Sequence, residues 1–131
     1  MPQHLLFEKT RFESWCDFHE ANPDVFDMFR CFANTAITLG KKVGARLIGE
    51  RIRWQCKFEI EREDGEPKFN NNHWPYYARL LAGLNQNFEN FFDFRDKRFD
   101  ATIQEIVKAH QDILSKNDTK TKEKDNSRQS A

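Results

Sequence analysis

Aromatic side chains recur along this chain at helical spacing, and no other feature limits the fold as much. Phe12, Trp15 and Phe18 stand three residues apart, as do Phe26, Phe29 and Phe32, and then Phe88 and Phe91 with Phe92 beside them. Residues three and four apart share one face of a helix, so each group marks a buried helical stripe. The chain of 131 residues holds 13 Phe, three Trp and two Tyr, but only three Val. The hydrophobic fraction of 38% is diluted by residues 116–131, where only Ala131 is hydrophobic; the remainder suffices for one compact core.

The spacing predicts a helix over residues 5–21 and a second ending near Leu39. Between them Asn22-Pro23-Asp24 reads as a stop and restart, with Asn22 as N-cap, Pro23 at the first helical position and Asp24 at the positive end of the dipole. Gly40 ends the second helix, because a left-handed cap costs glycine no steric clash. After a basic turn, Ala45, Ile48 and Ile52 return to helical spacing. The period then changes to two: Cys56, Phe58 and Ile60 alternate with Lys57, Glu59 and Glu61, which predicts a half-buried strand. Glu63-Asp64-Gly65-Glu66 supplies a turn, and Pro67-Lys68-Phe69 starts a return strand held to an edge by its proline. Asn70, Asn71 and Asn72 suit caps and turns, and Pro75 opens a helix carrying Tyr77, Leu80, Leu81 and Leu84. Residues 94–115 read as a long helix. Phe99, Ile103, Ile106, His110 and Ile113 are spaced 4, 3, 4, 3, a two-heptad seam suited to a homodimer interface.

The expected fold is therefore α+β and mostly helical, with winged-helix-like helices, one β-hairpin and a long C-terminal helix. Residues 1–95 would form the winged-helix-like domain, 96–115 the C-terminal dimerisation helix, and 116–131 a disordered charged tail.

Net charge is zero, with 21 basic and 21 acidic side chains, but the charges lie in blocks. Residues 1–30 sum to −3. Residues 41–57 hold Lys41, Lys42, Arg46, Arg51, Arg53 and Lys57 against Glu50 alone, a block of +5, and residues 58–67 follow at −4. A basic helix followed by a hairpin is the order of a winged helix, in which the helix enters the major groove. Double-stranded DNA is the partner this order implies. Lys41, Lys42, Arg46, Arg53 and Lys57 would meet phosphate, while Asn71, Asn72 and Arg79 would reach base edges or backbone. The acidic hairpin tip counts against a wing lying on phosphate. A reading of another class is an interaction protein that binds a host protein through exposed aromatics or the acidic segments.

The run Ile52-Arg53-Trp54, the turn Phe69-Asn70-Asn71-Asn72, then Tyr77-Ala78-Arg79 and Phe88-Glu89-Asn90-Phe91-Phe92 carry a resemblance. Together they resemble an uncharacterised family of small proteins encoded by bacteria, phages and prophages, with the pattern I-R-W, F-K-x-N-N-N, Y-A-R, F-x-x-F-F. The resemblance covers about residues 12–95. It implies a small soluble, cytoplasmic protein from a mobile element, and it carries over no catalytic residues. This chain departs from the pattern at Gly44, where the family often has a serine-type N-cap.

Little in the sequence supports catalysis. Pro23-Asp24 and Glu66-Pro67-Lys68 superficially fit a metal-dependent nuclease, but Asp24 sits at a helix start and Pro67 interrupts the second element. His4, His19, His73 and His110 show no ligand spacing, so no metal is expected. The glycines form no phosphate loop. Cys16, Cys31 and Cys56 read as small buried hydrophobes in a reducing interior. Trp54 and Trp74 read as core, with a stacking platform for bases as the alternative. The expectation is a non-enzymatic protein without cofactors, and no stretch is apolar enough to span a membrane.

Overall fold

The computed structural model describes residues 9–94 and 99–129, with side chains through Asn117. Among the described residues the chain forms five α-helices and no strand: α1 (Arg11–Ala21), α2 (Asp24–Thr38), α3 (Ala45–Trp54), α4 (Trp74–Leu84) and α5 (Ile103–Gln129). Short 3-10 turns at Asn71–His73 and Gln86–Phe88 flank α4.

Local chemistry explains most helix ends. α1 starts at Thr10, whose hydroxyl accepts the Glu13 N–H at 3.0 Å. α5 starts with a reciprocal capping box: Thr102 Oγ1 accepts the Glu105 N–H at 3.1 Å, and Glu105 Oε1 accepts the Thr102 N–H at 3.3 Å. Asn22 acts as C-cap of α1 and leaves the N-cap position of α2 to Pro23. α2 ends as its glycine predicts: Gly40 has φ 69°, its N–H donates to Ile37 O, and the Lys41 N–H donates to Ala36 O. The last helix begins at Ile103, later than residue 94, and continues through Lys116 to Gln129.

The β-hairpin expected over residues 56–69 is absent from the described residues. Gln55–Glu59 instead forms one π-helical turn that prolongs α3, closed by the Ile60 N–H donating to Gln55 O at 3.0 Å. Alternation misleads here because Cys56 is buried while Phe58 is exposed, so the two do not share a face. A period of four explains the segment: Ile48, Ile52 and Cys56 make one buried helical stripe. An isolated two-stranded hairpin would also be marginal in water. The loop that follows is tied down by Arg62, which pairs with Asp24 and donates to Asn22 Oδ1 at 3.4 Å. With no hairpin there is no wing, so the α+β winged-helix expectation and the DNA-binding function built on it are overturned.

α4 is the central element, with Trp74, Tyr76, Tyr77, Ala78, Arg79, Leu80 and Leu81 all buried. A helix buried around most of its circumference must be enclosed on several sides. α2, α3 and α5 pack directly against it, and α1 reaches it through Trp15, whose ring stacks on Tyr76 and meets Tyr77 edge-on. The Phe-rich composition becomes a continuous aromatic interior. Phe26, Phe29 and Phe92 extend it from Tyr77, and Phe88 and Phe91 close its far end.

α3 meets α4 at Gly49, where a Cβ would lie 2.2 Å from Cε2 of the Trp74 indole. Only glycine lets that ring come so close to the helix backbone. Gly49→Ala should therefore destabilise the fold by about 2 kcal/mol in urea unfolding, because overpacking outweighs the roughly 1 kcal/mol of helix propensity that alanine adds. A variant as stable as the parent would show that the Trp74 ring can move away from α3 at little cost.

Candidate functional site

α3 has two faces of opposite character. One carries Ile48, Gly49, Ile52 and, one turn on, Cys56, all buried against α2 and α4. The other carries Leu47, Trp54 and Phe58, exposed by 62%, 58% and 63% respectively. Spacings of seven and four place these three on one stripe. The π turn keeps Phe58 beside Trp54, with ring centres 4.7 Å apart and planes inclined by 54°. Such turns are rare and occur frequently at functional sites. A contacting pair of exposed aromatic rings gains nothing from the monomer's core and presents an apolar contact area with a polar indole edge.

The flanks are charged, and most charges have a local partner. Arg51 pairs with Glu59 at 2.7 Å and lies over the Phe32 ring at 4.8 Å. Arg46 approaches Glu50 at 3.6 Å. Arg53 donates to Asn71 Oδ1 at 2.8 Å and lies over Phe69. The ammonium of Lys57 lies 5.8 Å from the Phe58 ring centre. At this exposure such pairs fix side-chain positions more than they stabilise the fold.

The residues expected to meet nucleic acid are thus only partly brought together. Arg46, Arg53 and Lys57 share the outer side of α3, and Asn71 joins them through Arg53. Asn72 is exposed on the 3-10 turn, and Lys41 and Lys42 are exposed before α3, with Lys42 Nζ donating to Asn90 O at 3.4 Å. Arg79 is buried: its guanidinium lies 3.6 Å from the Phe99 ring centre and 4.7 Å from that of Phe94, and it donates to Pro75 O at 3.3 Å. It is a cation held inside the aromatic interior.

The heptad seam is likewise occupied within the chain. Ile106, His110 and Ile113 are buried, Ile103 is half-buried, and Phe99 packs on Tyr76 with ring centres 4.5 Å apart. His110 Nδ1 meets His19 Nε2 of α1 at 2.8 Å, and the two imidazoles stack. Of the cysteines, Cys56 is buried, Cys16 half-buried and Cys31 exposed. Burial pushes the Cys16 thiol up to about 11, which leaves it protonated and a poor nucleophile at neutral pH. Among the described residues no group of three or more His, Cys, Asp or Glu could hold a metal ion, and no helix is long and apolar enough to cross a membrane.

Trp54 was expected in the core beside Trp74, yet Trp74 is buried and Trp54 exposed. The signal that separates them is the helical stripe itself. Once Ile48, Ile52 and Cys56 define the buried side, position 54 must face away from it.

A scan against protein-family models found no match, and searches against curated proteins and solved structures also found none.

Proposed function

We propose that this protein is a non-enzymatic, cytoplasmic binding protein, of the kind a phage or prophage uses to engage and modulate a host or defence-system protein. The observation that carries this reading is the Leu47–Trp54–Phe58 stripe, an aromatic contact surface with no role in the chain's own core. Tryptophan and apolar anchors of this kind supply most of the energy in protein–protein contacts. The basic flank of Arg46, Arg53 and Lys57 would set orientation and encounter rate more than affinity. The resemblance to small phage-encoded proteins points the same way.

Affinity capture from nuclease-treated host lysate tests this, using the tagged parent, Trp54→Ala with Phe58→Ala, and Gln111→Ala on the exposed side of α5 as a surface control. The parent and the control should retain one defined protein. The double variant should lose it by about thirtyfold, the effect of removing a hot spot worth about 2 kcal/mol. Its Tm should stay within about 2 °C of the parent, since both side chains are exposed. Undiminished capture by the double variant would refute the assignment of this surface.

A further inference from the structure

The exposed face of α3 lies between two charge blocks of opposite sign, and their order along the helix selects what can cover it. Lys41, Lys42 and Arg46 stand exposed at its N-terminal end; Glu61, Glu63 and Asp64 stand exposed beyond its C-terminal end. Arg51 and Glu59 neutralise one another between the blocks at 2.7 Å. Arg53 and Lys57 depart from this order; the Arg53 guanidinium is held by Asn71 Oδ1 and Phe69, and the Lys57 ammonium rests against Phe58. Leu47 and Phe58 are about 16 Å apart along the axis, with Trp54 between them.

A second copy laid antiparallel on this face would bring each basic end onto the other copy's acidic end. It would also set Leu47 against Phe58 on both sides of a two-fold axis passing near Trp54. A parallel arrangement would oppose like charges. The antiparallel contact is isologous and closes as a dimer. Zero net charge lets two copies approach without overall repulsion. We infer that the free protein self-associates through α3 as an antiparallel dimer. This rests on the binding surface proposed above, for which a second copy and a target protein would compete.

Trp15 and Trp74 are buried and Trp54 is exposed, so Trp54 reports on this contact. Light scattering and acrylamide quenching of the purified full chain, from low to high micromolar concentration, should show mass rising from 15.7 kDa toward twice that value as Trp54 becomes shielded. Trp54→Ala with Phe58→Ala should stay monomeric throughout. Lys41→Glu with Lys42→Glu, and separately Glu61→Lys with Glu63→Lys, should each weaken self-association by about tenfold. An equimolar mixture of these two charge variants should recover the dimer, because only the mixed pair opposes unlike charges at both ends. A monomer at every concentration overturns the inference, as does a dimer that survives Trp54→Ala with Phe58→Ala, or a mixture that stays monomeric. Target capture is read separately, so self-association can fail while the binding function stands, and the reverse.

Discussion

Replacing Trp15 by alanine should destabilise this protein by about 4 kcal/mol, within the range for deleting a fully buried indole. Trp15 has no exposed surface and joins α1 to the rest of the molecule. Its ring stacks on Phe12, Tyr76 and His19 at centroid distances of 6.2, 5.6 and 5.1 Å, and meets Tyr77 edge-on at 5.6 Å. Those partners lie on two helices and cannot collapse together into the space left behind, because Tyr76 is itself fixed by Asp100. The Asp100 carboxylate accepts from the Tyr76 hydroxyl and, at 3.0 Å, from the Phe12 N–H. Domains of this size are stable by roughly 5–15 kcal/mol, so the loss would consume a large share of the total. Urea unfolding followed by circular dichroism measures it. Trp15→Phe keeps a ring in the stack and should cost about half as much. If Trp15→Ala lost less than about 1.5 kcal/mol, the aromatic interior would not be organised around this residue.

How much of this was legible in the sequence depended on whether a segment carried one signal or two. The aromatic spacing of Phe26, Phe29 and Phe32 has a single helical reading, and the structure buries the first two and half-buries the third. Gly40 likewise had one reading, and its positive φ agrees. Residues 55–60 carried two, because Cys56 belongs equally to an alternating run and to the four-residue series from Ile48 and Ile52. Alternation is a strong local pattern, but it has meaning only if a partner strand exists, and Arg62 anchors the following loop to α2 instead. The capping boxes Thr10-x-x-Glu13 and Thr102-x-x-Glu105 were readable and would have corrected two helix starts. The candidate site was the least legible part. Large aromatics are usually buried, so Trp54 and Phe58 read as interior until the opposite face of α3 was known to be full. The basic residues beside them drew attention to phosphate, although most of them have partners on the protein surface. Arg79 shows the same limit from the other side: nothing local indicates that Phe94 and Phe99 would enclose a cation.

Lowering the pH from 7 to 4 should unfold or severely weaken this protein, with the buried imidazoles as the cause. His19 and His110 are both nearly inaccessible, and Trp15, Phe26 and Tyr77 surround the pair. Among the described residues His19 Nδ1 has no hydrogen-bond partner. The 2.8 Å contact between the rings holds a single proton, so charging both would set two N–H groups against each other. Burial, and secondarily His110, holds His19 down to about 4. Burial lowers His110 as well, assisted by Arg30 and opposed by Asp27. Above about pH 6.5 these groups are neutral in both the folded and unfolded chain and contribute no pH dependence. As the pH falls from there toward 4, the unfolded chain takes up protons that the folded chain refuses. Stability therefore drops by about 1.4 kcal/mol per pH unit for His19, or about 3 kcal/mol by pH 4, and His110 adds to the loss in the same direction. Urea unfolding at half-unit steps from pH 7 to about pH 5 measures this slope above the range where most carboxylates titrate. His19→Phe with His110→Leu should flatten it, leaving a residue from His73, which burial also lowers. A slope unchanged in that variant would place the acid sensitivity elsewhere. A flat profile in the parent would mean that the pair already carries its charge in the folded state, with water reaching it between α1 and α5.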